Sequence, residues 1–139
     1  MIYLIDGDTL TGKTTYLRKY MKEHSQKCSR YMTDEEWMEM LVDCANKSVH
    51  DGQCVEILAS SFSQVDIICI DNIDFLKDKT ATQLLSAKTI LELNKNRDIL
   101  LAGIDLRRRI KTMIEEFLSS GADISFVDFN GTKKVRDKV

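Results

Sequence analysis

Residues 1–21 read MIYLIDGDTLTGKTTYLRKYM, and the fold turns on this stretch. Met1 to Asp6 is a short apolar, β-prone run broken by Gly7, the pattern of a buried strand entering a tight turn. From Lys13 onward, Tyr16, Leu17, Tyr20 and Met21 share one face of a helix. Between strand and helix, Gly7-Asp8-Thr9-Leu10-Thr11-Gly12-Lys13-Thr14 satisfies G-x-x-x-x-G-K-[ST] in the setting that pattern needs. The glycines let the backbone curl so that successive N–H groups and the helix N-terminus converge on one point, a geometry suited to phosphate oxygens.

The chemistry of that loop names its ligands. A lysine at position 13 reaches the β and γ phosphates of a nucleotide, and a hydroxyl at position 14 ligates Mg²⁺. The expected ligand is ATP or ADP with Mg²⁺, held by Gly7, Asp8, Thr9, Leu10, Thr11, Gly12, Lys13, Thr14 and Thr15. A phosphate-bound Mg²⁺ needs a carboxylate at its edge, supplied in such sites by an Asp that ends an apolar strand. Val65-Asp-Ile-Ile-Cys-Ile-Asp71 is that strand, nearly continuous in apolar residues and so buried on both faces of a parallel sheet. Thr14 and Asp71 are therefore the expected metal ligands, with Asp66, at the strand's start, facing solvent.

The remainder alternates in the same way. Ser29 to Met32 reads as a short strand, and Thr33 followed by Asp34, Glu35 and Glu36 reads as an N-cap with acidic residues at the positive end of a helix dipole. Trp37, Met38, Leu41, Val42 and Ala45 form the apolar face of that helix, which puts Trp37 in the core. A second helix spans about Val49 to Ser60, with His50, Asp51 and Gly52 at its edge. Thr80 to Asn94 is helical through Ala81, Leu84, Leu85, Ala87 and Leu91, and Ile99 to Ile104 is a strand. Leu106, Ile110, Met113, Ile114, Phe117 and Leu118 make one helical face, and Ile124 to Phe129 is a last strand. Strands alternating with helices predict an α/β fold with a mostly parallel sheet. One domain over 1–129 is expected, followed by a flexible basic tail over 130–139.

Composition bounds the partners. The 139 residues carry 20 Lys+Arg against 22 Asp+Glu, a net charge of −2, so the global field attracts neither nucleic acid nor anionic membrane. No apolar run approaches the ~20 residues a membrane span needs, and no targeting segment opens the chain; a cytoplasmic protein is expected. Cys28, Cys44, Cys54 and Cys69 form no Cys-x-x-Cys pair and read as buried reduced thiols. His24 and His50 have no nucleophile partner at a suggestive spacing.

The loop GDTLTGKTT and the segment QVDIICIDNIDFLKDKTATQ together resemble the ATPase core of the DnaA family of bacterial replication initiators and its AAA+ relatives. The likeness continues through Asp71, Asn72, Ile73, Asp74, Phe75, Leu76, Lys79 and Thr82-Gln83. The stretch from Tyr31 to Ala45 resembles the family's short strand and the start of its DNA-facing helical hairpin. The resemblance covers roughly Ile2 to Phe129 and is weaker after Asn94. It implies a P-loop three-layer sandwich with a five-stranded parallel sheet in order 5-1-4-3-2, nucleotide at the C-terminal strand ends, and a site completed by another AAA+ subunit.

The departures from the family are equally specific. Asn72 stands where the family has a second acidic residue, and an amide does not take a proton from water, so hydrolysis is expected to be slow or absent. Ala102 and Gly103 stand at polar sensor positions, and the family's trans-acting arginine falls near Met113, with Arg107, Arg108, Arg109 and Lys111 close by. The quoted sequence ends at about the fifth strand, which implies no helical lid and an open site with weak nucleotide binding. The reading is a nucleotide-binding module with little or no ATPase, accessory to DNA replication or mobile-element DNA transactions, whose partners are nucleotide, another subunit or replication protein, and weakly held single-stranded DNA. Two readings stand beside it: a small P-loop kinase, and a DNA- or protein-binding module with a vestigial nucleotide site.

Overall fold

The computed structural model describes residues 1–8, 10–47, 51–73, 80–129 and 135–138. Thr9, residues 48–50 with His50, residues 74–79, 130–134 and 139 lie outside the described residues. The elements run β1 (Ile2–Asp6), α1 (Lys13–Glu23), β2 (Ser29–Thr33), α2 (Asp34–Lys47), α3 (Asp51–Ser61), β3 (Ile67–Ile73), α4 (Thr80–Asn94), β4 (Asp98–Gly103), α5 (Leu106–Arg109), α6 (Lys111–Ser119), β5 (Ile124–Asp128) and β6 (Val135–Lys138).

The sheet order is β2-β3-β4-β1-β5-β6. The first five strands pair in parallel, so their order read from the other edge is the expected 5-1-4-3-2. Strand alternation divides the core between two faces. Ile2, Leu4, Ile68, Ile70, Ile99 and Leu101 pack with Trp37, Leu41, Leu58, Phe62, Ile90 and Phe117 on one side. Ile5, Ile67, Cys69, Leu100 and Ala102 pack with Leu17 of α1 on the other. Both faces of the central strands are covered, which is why β3 reads as an unbroken apolar run.

Thr33 caps α2 as expected, and reciprocally. Its Oγ1 accepts the Glu36 N–H at 3.3 Å while Glu36 Oε1 accepts the Thr33 N–H at 3.0 Å, a capping box that satisfies two groups at the helix start. Asp66 is exposed, and its Oδ2 accepts the Cys28 N–H at 3.1 Å.

Four details differ from the sequence pattern. In α2 the buried stripe runs through Trp37, Leu41 and Cys44, and Val42 and Ala45 are exposed. In α4 the buried residues are Gln83, Ser86, Ala87, Thr89, Ile90 and Leu93, while Ala81 is exposed. This helix lies between α3 and α6, so its neighbours rather than one apolar stripe set its orientation, and buried Ser86 accepts the Trp37 Nε1–H at 3.0 Å. Third, the single helix expected from Leu106 to Leu118 is two, separated at Ile110 (φ −117°, ψ 34°). Ile110 N–H still bonds Leu106 O at 2.9 Å and Ile114 N–H still bonds Ile110 O at 3.0 Å, so the apolar spacing survives the break and does not reveal it. Leu118 is exposed. Fourth, where a flexible tail is expected over 130–139, the backbone of Val135–Lys138 pairs antiparallel with β5, Asp128 opposite Val135 and Ser125 opposite Lys138. Such pairing uses the open N–H and C=O groups of a sheet edge and needs no apolar signature. Cys28 is exposed whereas Cys44, Cys54 and Cys69 are buried, and all four are free thiols. No helix among the described residues is long and apolar enough to cross a membrane.

Candidate nucleotide site

The loop after β1 folds around its own lysine. Gly12 precedes α1 with φ 98°, a left-handed conformation that glycine adopts without steric cost. Lys13, the first residue of α1, is only 8% exposed. Its Nζ donates to the carbonyls of Gly7 at 2.5 Å and Asp8 at 2.6 Å. Burial is the main influence on this ammonium and lowers its pKa, opposed by the negative charges of Asp71, Asp6 and Asp8. Thr11 Oγ1 ties the loop further by donating to Asp8 O at 2.7 Å. Leu10 holds φ 63° with its side chain fully in solvent.

β3 brings Asp71 to this loop across the sheet. Asp71 is 1% exposed, and its Oδ2 accepts the Thr14 hydroxyl at 2.6 Å and the Tyr31 hydroxyl at 2.6 Å. Its Oδ1 accepts the Asn72 N–H at 2.9 Å. Asn72 has φ 58°, and the register of β3 with β4 shifts between Ile70 and Ile73. Asparagine tolerates this left-handed backbone better than most residues, so its identity there has a conformational reason besides any chemical one.

These groups meet in a cleft of about 600 Å³ at the C-terminal ends of the strands, lined by Leu10, Thr11, Gly12, Lys13, Thr14, Thr15, Asn72, Ile73, Gly103, Ile104 and Arg109. It sits where ligands bind in open α/β sheets. Of the sequence-predicted residues, Leu10 to Thr15 line the cleft, Gly7 and Asp8 supply carbonyls beneath Lys13, and Asp71 stands behind Thr14. Thr9 lies outside the described residues. The Thr14 hydroxyl and the Asp71 carboxylate form an all-oxygen pair, the ligand chemistry of Mg²⁺, and so could hold that ion; loop N–H groups and Lys13 could hold phosphate.

Three contributors are not legible in the sequence. Tyr31 reaches Asp71 because β2 lies parallel to β3, with Tyr31 opposite Cys69. Burial, then the hydrogen bond to Asp71, pushes its hydroxyl pKa up to about 12. Asp6, at the end of β1, accepts the Leu106 N–H at 3.2 Å and so anchors α5; burial raises its pKa above the usual carboxylate value. Arg109 lines the chain's own cleft. The only sequence signal for it is the run Arg107-Arg108-Arg109, which does not say which of the three turns inward.

The family model for the bacterial DnaA ATPase domain matches residues 2–123. Domain III of the Thermotoga maritima replication initiation protein DnaA is similar at TM-score 0.63 and 21% identity, covering 84% of this chain and 50% of that one. AMPPCP-bound DnaA from Aquifex aeolicus gives 0.61 and 18%, covering 89% and 39%. A replication initiator DnaA bound to AMPPCP and single-stranded DNA gives 0.61 and 19%, covering 90% and 39%. This chain thus spans half or less of the length of these proteins. No curated protein sequence matches it.

Proposed function

Since the chain belongs to the bacterial DnaA ATPase domain family, we propose that it binds ATP or ADP with Mg²⁺ in the cleft over Gly7–Thr15 and turns nucleotide over slowly. The observation that carries this reading is the joint placement of buried Lys13, held 2.5 Å from Gly7 O, and the Thr14–Asp71 pair at 2.6 Å. In this reading Lys13 exchanges loop carbonyls for β- and γ-phosphate oxygens, and the loop N–H groups and the start of α1 take up the remaining phosphate charge. Thr14 and Asp71 would hold Mg²⁺, which when bound neutralises charge between the β and γ phosphates. Tyr31 keeps the Asp71 carboxylate oriented toward Thr14.

Asn72 lines the cleft and can orient water through its amide, but it accepts no proton. ATP hydrolysis by the isolated chain is therefore expected barely above background. In a replication setting the module would act as a nucleotide-dependent subunit beside another AAA+ protein, and any contact with single-stranded DNA would be weak at a net charge of −2.

Melting temperatures with and without Mg²⁺ and ATP, ADP or GTP, for this chain and Lys13→Ala, test the reading. Ligand at 100 times its Kd stabilises by about 2.7 kcal/mol, a shift of several degrees for ~150 residues. A Mg²⁺-dependent shift absent from Lys13→Ala is expected. No shift at millimolar nucleotide overturns the reading in favour of a binding module with a relic loop.

A further inference from the structure

We propose that Arg109 contacts the terminal phosphate of nucleotide bound to its own chain and sets the preference of the cleft for triphosphate over diphosphate. The inference rests on the nucleotide-binding reading and deepens it.

The three consecutive arginines of α5 do three different things. The Arg107 guanidinium carbon lies 3.7 Å from the ring centroid of Phe126, a cation–π contact on the β5 side. Arg108 Nε bonds Asp105 Oδ2 at 2.5 Å. Arg109 alone of the three lines the cleft that also contains Lys13 and Thr14. Among the described lining residues, Lys13 and Arg109 are the two cations.

The backbone that presents Arg109 is held to the phosphate loop. Asp6, directly before Gly7, accepts the Leu106 N–H at 3.2 Å, and Leu106 is completely buried. From the other side, Gln83 Nε2 donates to Arg109 O at 3.5 Å. The backbone that carries the Arg109 side chain is therefore tied to the loop.

The opposite wall explains why an arginine from α5 takes this place. β4 ends at Gly103, where an added Cβ would sit 2.9 Å from Ile73 O and 2.8 Å from Leu106 Cδ2. No side chain fits at 103 without displacing backbone, and the next lining residue, Ile104, is apolar. β4 thus offers the cleft no polar side chain among the described lining residues, and the charge enters from the following helix. A triphosphate carries one more negative charge than a diphosphate, and a planar guanidinium binds phosphate oxygens through paired N–H groups.

Calorimetric titration of the full chain with Mg²⁺-AMPPCP and with Mg²⁺-ADP tests this. Arg109→Ala should weaken AMPPCP binding about tenfold, the scale of one lost charge-assisted hydrogen bond, and change ADP binding less than twofold. Arg109→Gln, which keeps most of the stem without the charge, gives the same readout should the alanine variant fail to fold, and Arg107→Ala should leave both ligands within twofold. Equal losses for the two nucleotides, or none, overturn the assignment while leaving nucleotide binding intact. Failure of the unmodified chain to bind either nucleotide overturns the nucleotide reading and this assignment with it.

Discussion

The two walls of the cleft are built on different principles. The wall from β1, the loop and α1 is local: Gly12, Lys13 and Thr14 are adjacent, and backbone geometry alone brings them together. The wall from β3, β4 and α5 is assembled from residues far apart in the chain, Asp71, Gly103 and Arg109, joined by strand register and by the hydrogen bond from Leu106 N–H to Asp6. A local wall is specified by a short pattern, whereas a distributed wall tolerates replacement of one member if another element can reach the same space.

The sharpest way to break this comparison is to remove the centre of the local wall. Lys13→Ala should abolish nucleotide stabilisation, a loss on the order of 100-fold or more in affinity, because among the described residues of the loop and α1 Lys13 is the one cation that lines the cleft. Retained binding in a thermal-shift or calorimetric assay would mean that the distributed wall carries the affinity.

Gly103→Val probes the distributed wall through packing. Its Cβ would meet Ile73 O at 2.9 Å, and overpacking of this kind costs about 1–3 kcal/mol. Urea unfolding should show that loss with an unchanged m-value; an unaltered midpoint would show that β3 and β4 yield freely there.

Tyr31→Phe removes one of the three hydrogen bonds to Asp71. Stability should fall by about 1 kcal/mol, and the Mg²⁺ concentration for half-maximal stabilisation by ADP should rise roughly tenfold, as for other residues that orient a metal ligand. An unchanged Mg²⁺ requirement would confine Tyr31 to a structural role.

The smallest effect concerns the tie between the walls. Burial raises the Asp6 pKa above its ordinary 3.8, so the folded chain holds that proton more tightly than the unfolded chain. The favourable contribution of the group is complete below pH 3.8 and is lost as pH rises through the raised value. Asp6→Asn keeps an oxygen for the Leu106 N–H and carries no charge. It should therefore raise the melting temperature at pH 7 by the equivalent of under about 1 kcal/mol, with the gain shrinking as the solution is acidified toward pH 4. A loss of stability at pH 7 would show that the charge itself holds α5.

How much was legible follows the same division between local and distant. The strand, loop and helix at the N-terminus, the apolar β3 ending in Asp71 and the cap at Thr33 all depend on residues near one another, and the local pattern states them; for α4 it states the helix but not the face that is buried. Strand order came through resemblance, since five parallel strands can be arranged in several ways from one pattern. The break at Ile110 stayed hidden because hydrogen bonds continue through it, and β6 because backbone pairing leaves no mark in side-chain pattern.

Asn72 illustrates both sources at one residue. Its amide, read from the sequence, determines that no proton is taken from water there. Its φ of 58° and the shifted register beside it belong to the tertiary structure, which decided that a residue tolerant of left-handed backbone stands behind Asp71. By itself the sequence determined the chemistry of the loop, because its residues are adjacent in the chain and local backbone geometry brings them together. Only the packed sheet decided that Tyr31 meets Asp71 and that Gly103 and Arg109 stand on the wall of the cleft, because each depends on distances between elements that no local pattern encodes.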